Sequence, residues 1–262
     1  MTIRRSIVDT PHGQLHVRAI AGEGRPLLLL HQSPRSGRMF EPLMERVGRP
    51  SMAPDRIGYG FSDPGPTEPT IETYAESTMA VVDTAGWDTF DVLGIHTGSM
   101  EAVAIGIGWP ERVNRVAIVA VPVFSSEEAA EIASLYAEPR AVPVEDGSHL
   151  LEYWQARLVW RDPPYDLAHL QTLTVEELLI ADRAHIAYRA VVGWPMQEKL
   201  TQLAAPLVVF APHDDLVVQT AHMRDRLPGG TVYLDLPHMD MDIFHRHPDE
   251  MASLVRKYLP AR

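Results

Sequence analysis

Phe90-Asp91-Val92-Leu93-Gly94-Ile95-His96-Thr97-Gly98-Ser99-Met100-Glu101-Ala102 is the stretch from which the architecture of this chain is read. A short apolar run ends at Gly94, a second glycine follows at Gly98, and an alanine-rich segment with helical character comes next. The order is strand, sharp turn, helix. Glycines two residues before and two after the apex let the backbone turn tightly without Cβ clashes. The apex is His96, whose side chain is expected to stand above the sheet beside the N-terminus of the helix.

The chain around this elbow has 262 residues, of which 45% are hydrophobic, enough for one large domain carrying an insertion. Its 35 acidic and 23 basic residues give a formal charge of −12, with no run of Lys or Arg. That balance argues against nucleic acid and anionic membranes as partners and leaves a small-molecule substrate. With no cysteine, disulfides and thiolate metal sites are excluded. Met1–Arg5 is not followed by an apolar signal core, and no apolar segment reaches the ~18 residues of a membrane span. A soluble cytoplasmic protein, monomer or homodimer, is the expectation. Twelve histidines are many for this length, and five lie between His213 and His247, as a His-rich surface loop or, less simply, a metal site.

Alternating residues predict strands over Arg4–Thr10 and Gln14–Ala19, joined at Pro11-His12-Gly13. Leu27–Leu30, wholly apolar, reads as a strand buried on both faces. Ser51–Pro54, Val113–Ala120, Pro206–Ala211 and Thr231–Leu236 read as further strands. Helical spacing appears over Met39–Val47, Thr70–Ala85, the segment after the elbow as far as Trp109-Pro110, Met223–Leu227 and Pro248–Tyr258. Between Pro122 and Leu203 no buried strand is evident. Helices are expected there around Glu127–Ala137, His149–Val159 and Val175–His185, with breaks at Pro139–Pro143 and Asp162-Pro163-Pro164. Residues 1–121 and 204–262 thus form an α/β core, and 122–203 a helical cap or lid. Strands alternating with helices imply a mostly parallel sheet with helices on both faces. Ligands then bind at the carboxyl ends of the strands, where the loops at His31, Asp55, His96, Pro122, His213 and Pro237 gather.

Four of these loops resemble those of the α/β-hydrolase superfamily. His31-Gln32-Ser33-Pro34 is similar to its oxyanion loop, usually His-Gly-x-Pro, and Asp55-Arg56-x-Gly-x-Gly-x-Ser62 matches a common loop of these enzymes. Gly94-x-His96-x-Gly98 matches the elbow, and His213-Asp214-Asp215-Leu216-Val217 the loop that usually carries the acid. The resemblance implies the α/β-hydrolase fold over nearly the full length, with a cap at 122–203. It also exposes three departures. His96 stands where the family has Ser, Cys or Asp, and Gln32 stands where it has glycine. The family's catalytic histidine commonly lies seven residues before a proline, and counting back from Pro248 reaches Met241. His238, three residues earlier, is the alternative occupant of that place.

The candidate catalytic residues are therefore His96, Asp214 and His238, with Asp215 beside Asp214 as a second acid. An imidazole at the apex can attack an acyl carbon or act as a general base. The adjoining helix N-terminus is expected to keep it neutral. The resemblance assigns the oxyanion hole to the backbone N–H groups of Gln32 and Thr97, and gives His31 a structural role under that loop. Arg35, Trp154 and Tyr188 are candidate substrate contacts, with Trp160, His185 and Trp194 as further candidates for lining an apolar pocket. The leading expectation is a cofactor-free hydrolase with a noncanonical triad, acting on an ester, a lactone or the C–C bond of a diketone. The alternatives are a cofactor-free lyase, decarboxylase, isomerase or oxygenase, a ligand-binding pseudoenzyme, and a metal-dependent enzyme using His31, His96, Asp214 and His238. No metal and no cofactor belong to the leading reading.

Overall fold

The computed structural model describes residues 2–139 and 142–262. The break expected over 139–143 thus falls partly outside the described residues. Eight strands run β1 (Arg4–Thr10), β2 (Gly13–Ile20), β3 (Leu27–Leu30), β4 (Ser51–Pro54), β5 (Phe90–Ile95), β6 (Val113–Val119), β7 (Leu207–Pro212) and β8 (Val232–Leu236). They form one sheet in the order β1-β2-β4-β3-β5-β6-β7-β8. The β1–β2 and β2–β4 pairs are antiparallel, and every later pair is parallel.

The central strands are largely apolar because both faces are covered. Leu28, Leu30, Val92, Val116, Ile118 and Val209 pack into one core layer, and Leu27, Leu29, Leu93, Ala117, Val119 and Phe210 into the other. The period-2 alternation of a strand divides them. Helices α1 (Glu41–Val47), α2 (Ile71–Thr84) and α3 (Thr97–Gly108) follow β3, β4 and β5. Between β6 and β7 the chain passes through α4 (Ser126–Leu135), α5 (Ser148–Ala156), α6 (Leu167–Leu178), α7 (Ile186–Gly193) and α8 (Met196–Leu200). Helices α9 (Val217–His222), α10 (Ile243–Arg246) and α11 (Pro248–Tyr258) complete the fold. Among the described residues no helix is long and apolar enough to cross a membrane.

Two expected helices moved. The helix expected over Val175–His185 begins instead at Leu167, because Asp166 caps it by accepting from the His169 N–H at 3.0 Å. It ends at Leu178, and the next regular helix starts at Ile186. The helix expected over Met223–Leu227 lies earlier, at Val217–His222, followed only by a short 3₁₀ turn at Arg224–Arg226.

Candidate active site

The elbow is built by close backbone approach. A Cβ on Gly94 would lie 1.9 Å from the carbonyl oxygen of Gly98, and a Cβ on Gly98 would lie 2.1 Å from that of Leu30. Neither position admits a side chain. The apex, His96, takes φ 51° and ψ −118°, a left-handed conformation that a residue with a Cβ adopts only under constraint. Its N–H donates to the Val119 carbonyl at 3.0 Å, and its carbonyl accepts from the Ser99 N–H at 2.8 Å.

From this apex the imidazole Nε2 lies 2.8 Å from Asp214 Oδ2 and 3.8 Å from Asp215 Oδ1. Asp214, 1% exposed at the end of β7, is held in turn by the Leu216 N–H, which donates to Oδ1 at 3.0 Å. Nε2–H donating to Asp214 leaves Nδ1 as the lone-pair nitrogen, and Nδ1 has no protein partner among the described residues. Burial disfavours the imidazolium, but the Asp214 carboxylate, its hydrogen bond and Asp215 outweigh burial and raise the pKa of His96 above the ordinary value. The carboxylate in contact thus opposes the helix N-terminus, whose dipole favours the neutral ring.

Above His96 lies a cavity of about 370 Å³. Gln32, Thr97, Asp215 and Met241 line it from the loops at the carboxyl ends of the strands, and Tyr136 and Tyr188 from the helical segment. The two tyrosine rings stack at 3.6 Å, and the Tyr188 hydroxyl donates to the Ser33 carbonyl at 3.3 Å. A smaller cavity of about 160 Å³ adjoins it, sharing Pro34, Tyr136, Ala156, Arg157, Glu177 and Tyr188.

His96, Asp214, Gln32, Thr97 and Tyr188 therefore converge. Three other candidates do not. His238 is on the surface, its side chain 53% exposed, with Nε2 3.1 Å from Glu250 Oε1. The neighbouring Met239, fully buried, takes the inward direction, and Met241 rather than His238 reaches the cavity wall. Arg35 is buried beneath the helical segment, donating to the Leu173 carbonyl at 3.1 Å and lying 3.5 Å from Glu177 Oε1; it does not line the cavity. Trp154 is half-buried on α5 outside the cavity wall, whereas Trp160 is part of it. Arg157, Arg161 and Glu177 also line the cavity and escaped the sequence reading. The i, i+4 spacing of the two arginines was the available signal, but their partners Glu177 and Asp242 lie far along the chain.

His31 ties the loop after β3 to the loop after β4. Nδ1 donates to the Gln32 carbonyl at 2.7 Å and Nε2 accepts from the Arg56 N–H at 2.8 Å. Burial and Arg56 push its pKa down to about 3, so the ring is neutral. With both nitrogens engaged and His238 at the surface, the metal set His31, His96, Asp214 and His238 is not assembled. The ligand atoms that do cluster, within 4.8 Å of one another, are those of His96, Asp214 and Asp215.

A family model described as the alpha/beta hydrolase fold matches residues 25–137. A 2-hydroxymuconate semialdehyde hydrolase of Pseudomonas putida is 31% identical over 103 residues, a stretch covering 37% of this chain and 37% of that protein. Among solved structures, a hydrolase from Pseudomonas aeruginosa superimposes with a TM-score of 0.80 at 16% identity, covering 98% of this chain and 99% of the other. A thermophilic esterase from Thermogutta terrifontis gives 0.78 at 18% identity, covering 98% of each chain. At these identities the structural matches speak for the fold alone. The match over 25–137 and the structural likeness over nearly the whole chain agree that this chain has the α/β-hydrolase fold.

Proposed function

We propose that the protein hydrolyses a small carbonyl compound, an ester, a lactone or a diketone, with His96 as general base and the helices of 122–203 as a cap over the site. The observation that carries this reading is the 2.8 Å His96–Asp214 contact at the apex, beneath a cavity of about 370 Å³. His96 Nδ1 takes a proton from water as the water oxygen bonds to the substrate carbonyl carbon. The carbonyl electron pair moves onto oxygen, where the N–H groups of Thr97 and Gln32 are aimed in this family's geometry. When the carbonyl re-forms, the leaving alkoxide or enolate takes the proton back from the imidazolium. Asp214 fixes the tautomer and stabilises the charged ring, as the third member of a triad does. The names of the relatives, hydrolase and esterase, agree with carbonyl hydrolysis.

A second reading keeps the base and omits the water: His96 removes a proton from a substrate carbon. The absence of a serine at the apex favours it. Turnover of an ester, lactone and diketone panel in ¹⁸O water separates the two, since only hydrolysis places the label in an acid product.

Because the base must be neutral, activity should rise with pH through a midpoint above the ordinary imidazole value. In Asp214→Asn the supporting carboxylate is gone, and the midpoint should move to lower pH. The stability effect has the same origin. A pKa raised by folding stabilises fully below about 6.5 and fades as pH rises through the folded value. Thermal melts at pH 6 and 9 should show a larger drop in the wild type than in Asp214→Asn; equal drops would remove the ion pair from the account.

Serine-directed phosphonates should leave the protein unlabelled. Ser33 Oγ accepts from Arg56 Nη1 at 3.0 Å. Ser99 Oγ lies 2.9 Å from the carbonyls of Gly94 and Val119 and accepts from the Val119 N–H at 3.2 Å. A stoichiometric adduct on either serine, seen by intact mass, would contradict the role given to His96.

A further inference from the structure

The apex carries more negative charge than one imidazole balances. Asp214 and Asp215 share a single basic partner, His96 Nε2, at 2.8 and 3.8 Å. Among the described residues neither carboxylate has a Lys or Arg in ion-pair contact. Beside a neutral ring, both stand without a counter-ion. The wall of the His96 cavity, to which Asp215 belongs, also has three buried polar atoms with no hydrogen-bond partner among the described residues. Two are acceptors, Gln32 Oε1 and Glu177 Oε2, on residues 6% and 2% exposed. The third, Arg157 Nε, belongs to a guanidinium already paired with Glu177 at 2.7 Å. Unpaired acceptors and uncompensated carboxylates around one cavity favour a positively charged occupant.

The ligand atoms of His96, Asp214 and Asp215 all lie within 4.8 Å of one another. Zinc bonds imidazole nitrogen and carboxylate oxygen at about 2.0–2.2 Å, so neighbouring ligand atoms of a tetrahedral site stand about 3.4 Å apart. The 2.8 Å from Nε2 to Asp214 Oδ2 and the 3.8 Å from Nε2 to Asp215 Oδ1 bracket that spacing. Closing the set requires the Asp215 carboxylate to swing towards Asp214. Its side chain is 42% exposed, against 11% for His96 and 1% for Asp214, so it is the one with room to do so. From this we infer that His96, Asp214 and Asp215 bind one zinc ion, its fourth position open to the cavity, and that the bound ion silences the base. Nε2 ligates only through its lone pair, so the proton it gave to Asp214 moves to Nδ1. The ring stays neutral, but Nδ1 now presents an N–H where the base had its lone pair. The silencing rests on the hydrolytic reading; the metal site does not.

Calorimetric titration of the untagged, metal-free full chain with zinc chloride should show one equivalent bound. His96→Ala should abolish it. Asp215→Asn should weaken it by more than the roughly 10- to 100-fold that loss of an outer-shell group costs. Melting temperatures show whether each variant is folded. The histidine pairs His169–His245 and His238–His247 are the competing sites, so His238→Ala combined with His245→Ala should keep the equivalent. Cobalt chloride in place of zinc should give the visible absorption of a four-coordinate ion in the wild type and not in His96→Ala. No zinc bound, or an equivalent that survives in His96→Ala, would overturn the site. One zinc bound with ester turnover unchanged would uphold the site and refute His96 as the base, whereas ester turnover by a protein that binds no zinc would leave the base in place and overturn the site.

Discussion

His96→Ala should lower turnover of any accepted ester or diketone by about 10²–10⁴-fold, the contribution of a positioned general base. His96→Ser should be no better. A serine hydroxyl needs a base within reach; His31 has both nitrogens engaged, and His238 points to solvent against Glu250. Met241, in the wall of the same cavity as His96, offers only a thioether, which cannot carry a proton. His96→Ser combined with Met241→His should therefore regain measurable hydrolysis of p-nitrophenyl acetate, with Asp214 still at the end of β7 to orient the new ring. Brisk hydrolysis by His96→Ser alone would mean that a base already stands at the apex and that His96 is not the group that matters.

The second large effect is on stability. Glu101, on α3 and 1% exposed, accepts from Arg56 Nε at 2.9 Å and from the Thr78 hydroxyl at 2.6 Å, and its Oε2 is 2.9 Å from Arg56 Nη2. Arg56 is buried too, and its remaining donors hold the Ser33 hydroxyl and the His31 carbonyl. Glu101→Ala strands that guanidinium in the core and should cost about 3–5 kcal/mol. Removing both charges in Glu101→Leu with Arg56→Met should recover much of that loss, since it is the unpaired charge that is expensive. Chemical denaturation of the two variants decides the matter: a single variant within about 0.5 kcal/mol of wild type, the range of an ordinary surface substitution, would show that the pair is not needed.

The elbow was legible because its constraint is steric and local. Glycines at 94 and 98 are required by oxygens 1.9 and 2.1 Å from where a Cβ would sit, and that requirement is written in adjacent residues. The wholly apolar β3 was legible for a similar reason, since burial on both faces removes alternation. What the sequence concealed was pairing across the chain. Arg35 reads as an available cation until α6 brings Glu177 and the Leu173 carbonyl to it. His238 and Met241 are three residues apart, and which of them faces the site depends on Met239 being drawn into the core and receiving the His213 N–H on its carbonyl at 2.8 Å. No local pattern encodes that turn. The upward push on the His96 pKa was not legible because the helix beside it is visible in sequence, whereas its distance to Asp214 is not.

The left-handed apex has an evolutionary corollary. A backbone held at φ 51° costs about 1–3 kcal/mol for any side chain with a Cβ, whatever that side chain is. Glycine would sit there without that cost, so a lineage selected for robustness alone would drift towards it. Among the side chains that carry the cost, serine, cysteine, aspartate and histidine carry nearly the same one. The scaffold is therefore close to indifferent to which reagent it displays, and what limits a change of chemistry at position 96 is the supply of a partner group such as a base at 241, not the backbone that holds the apex.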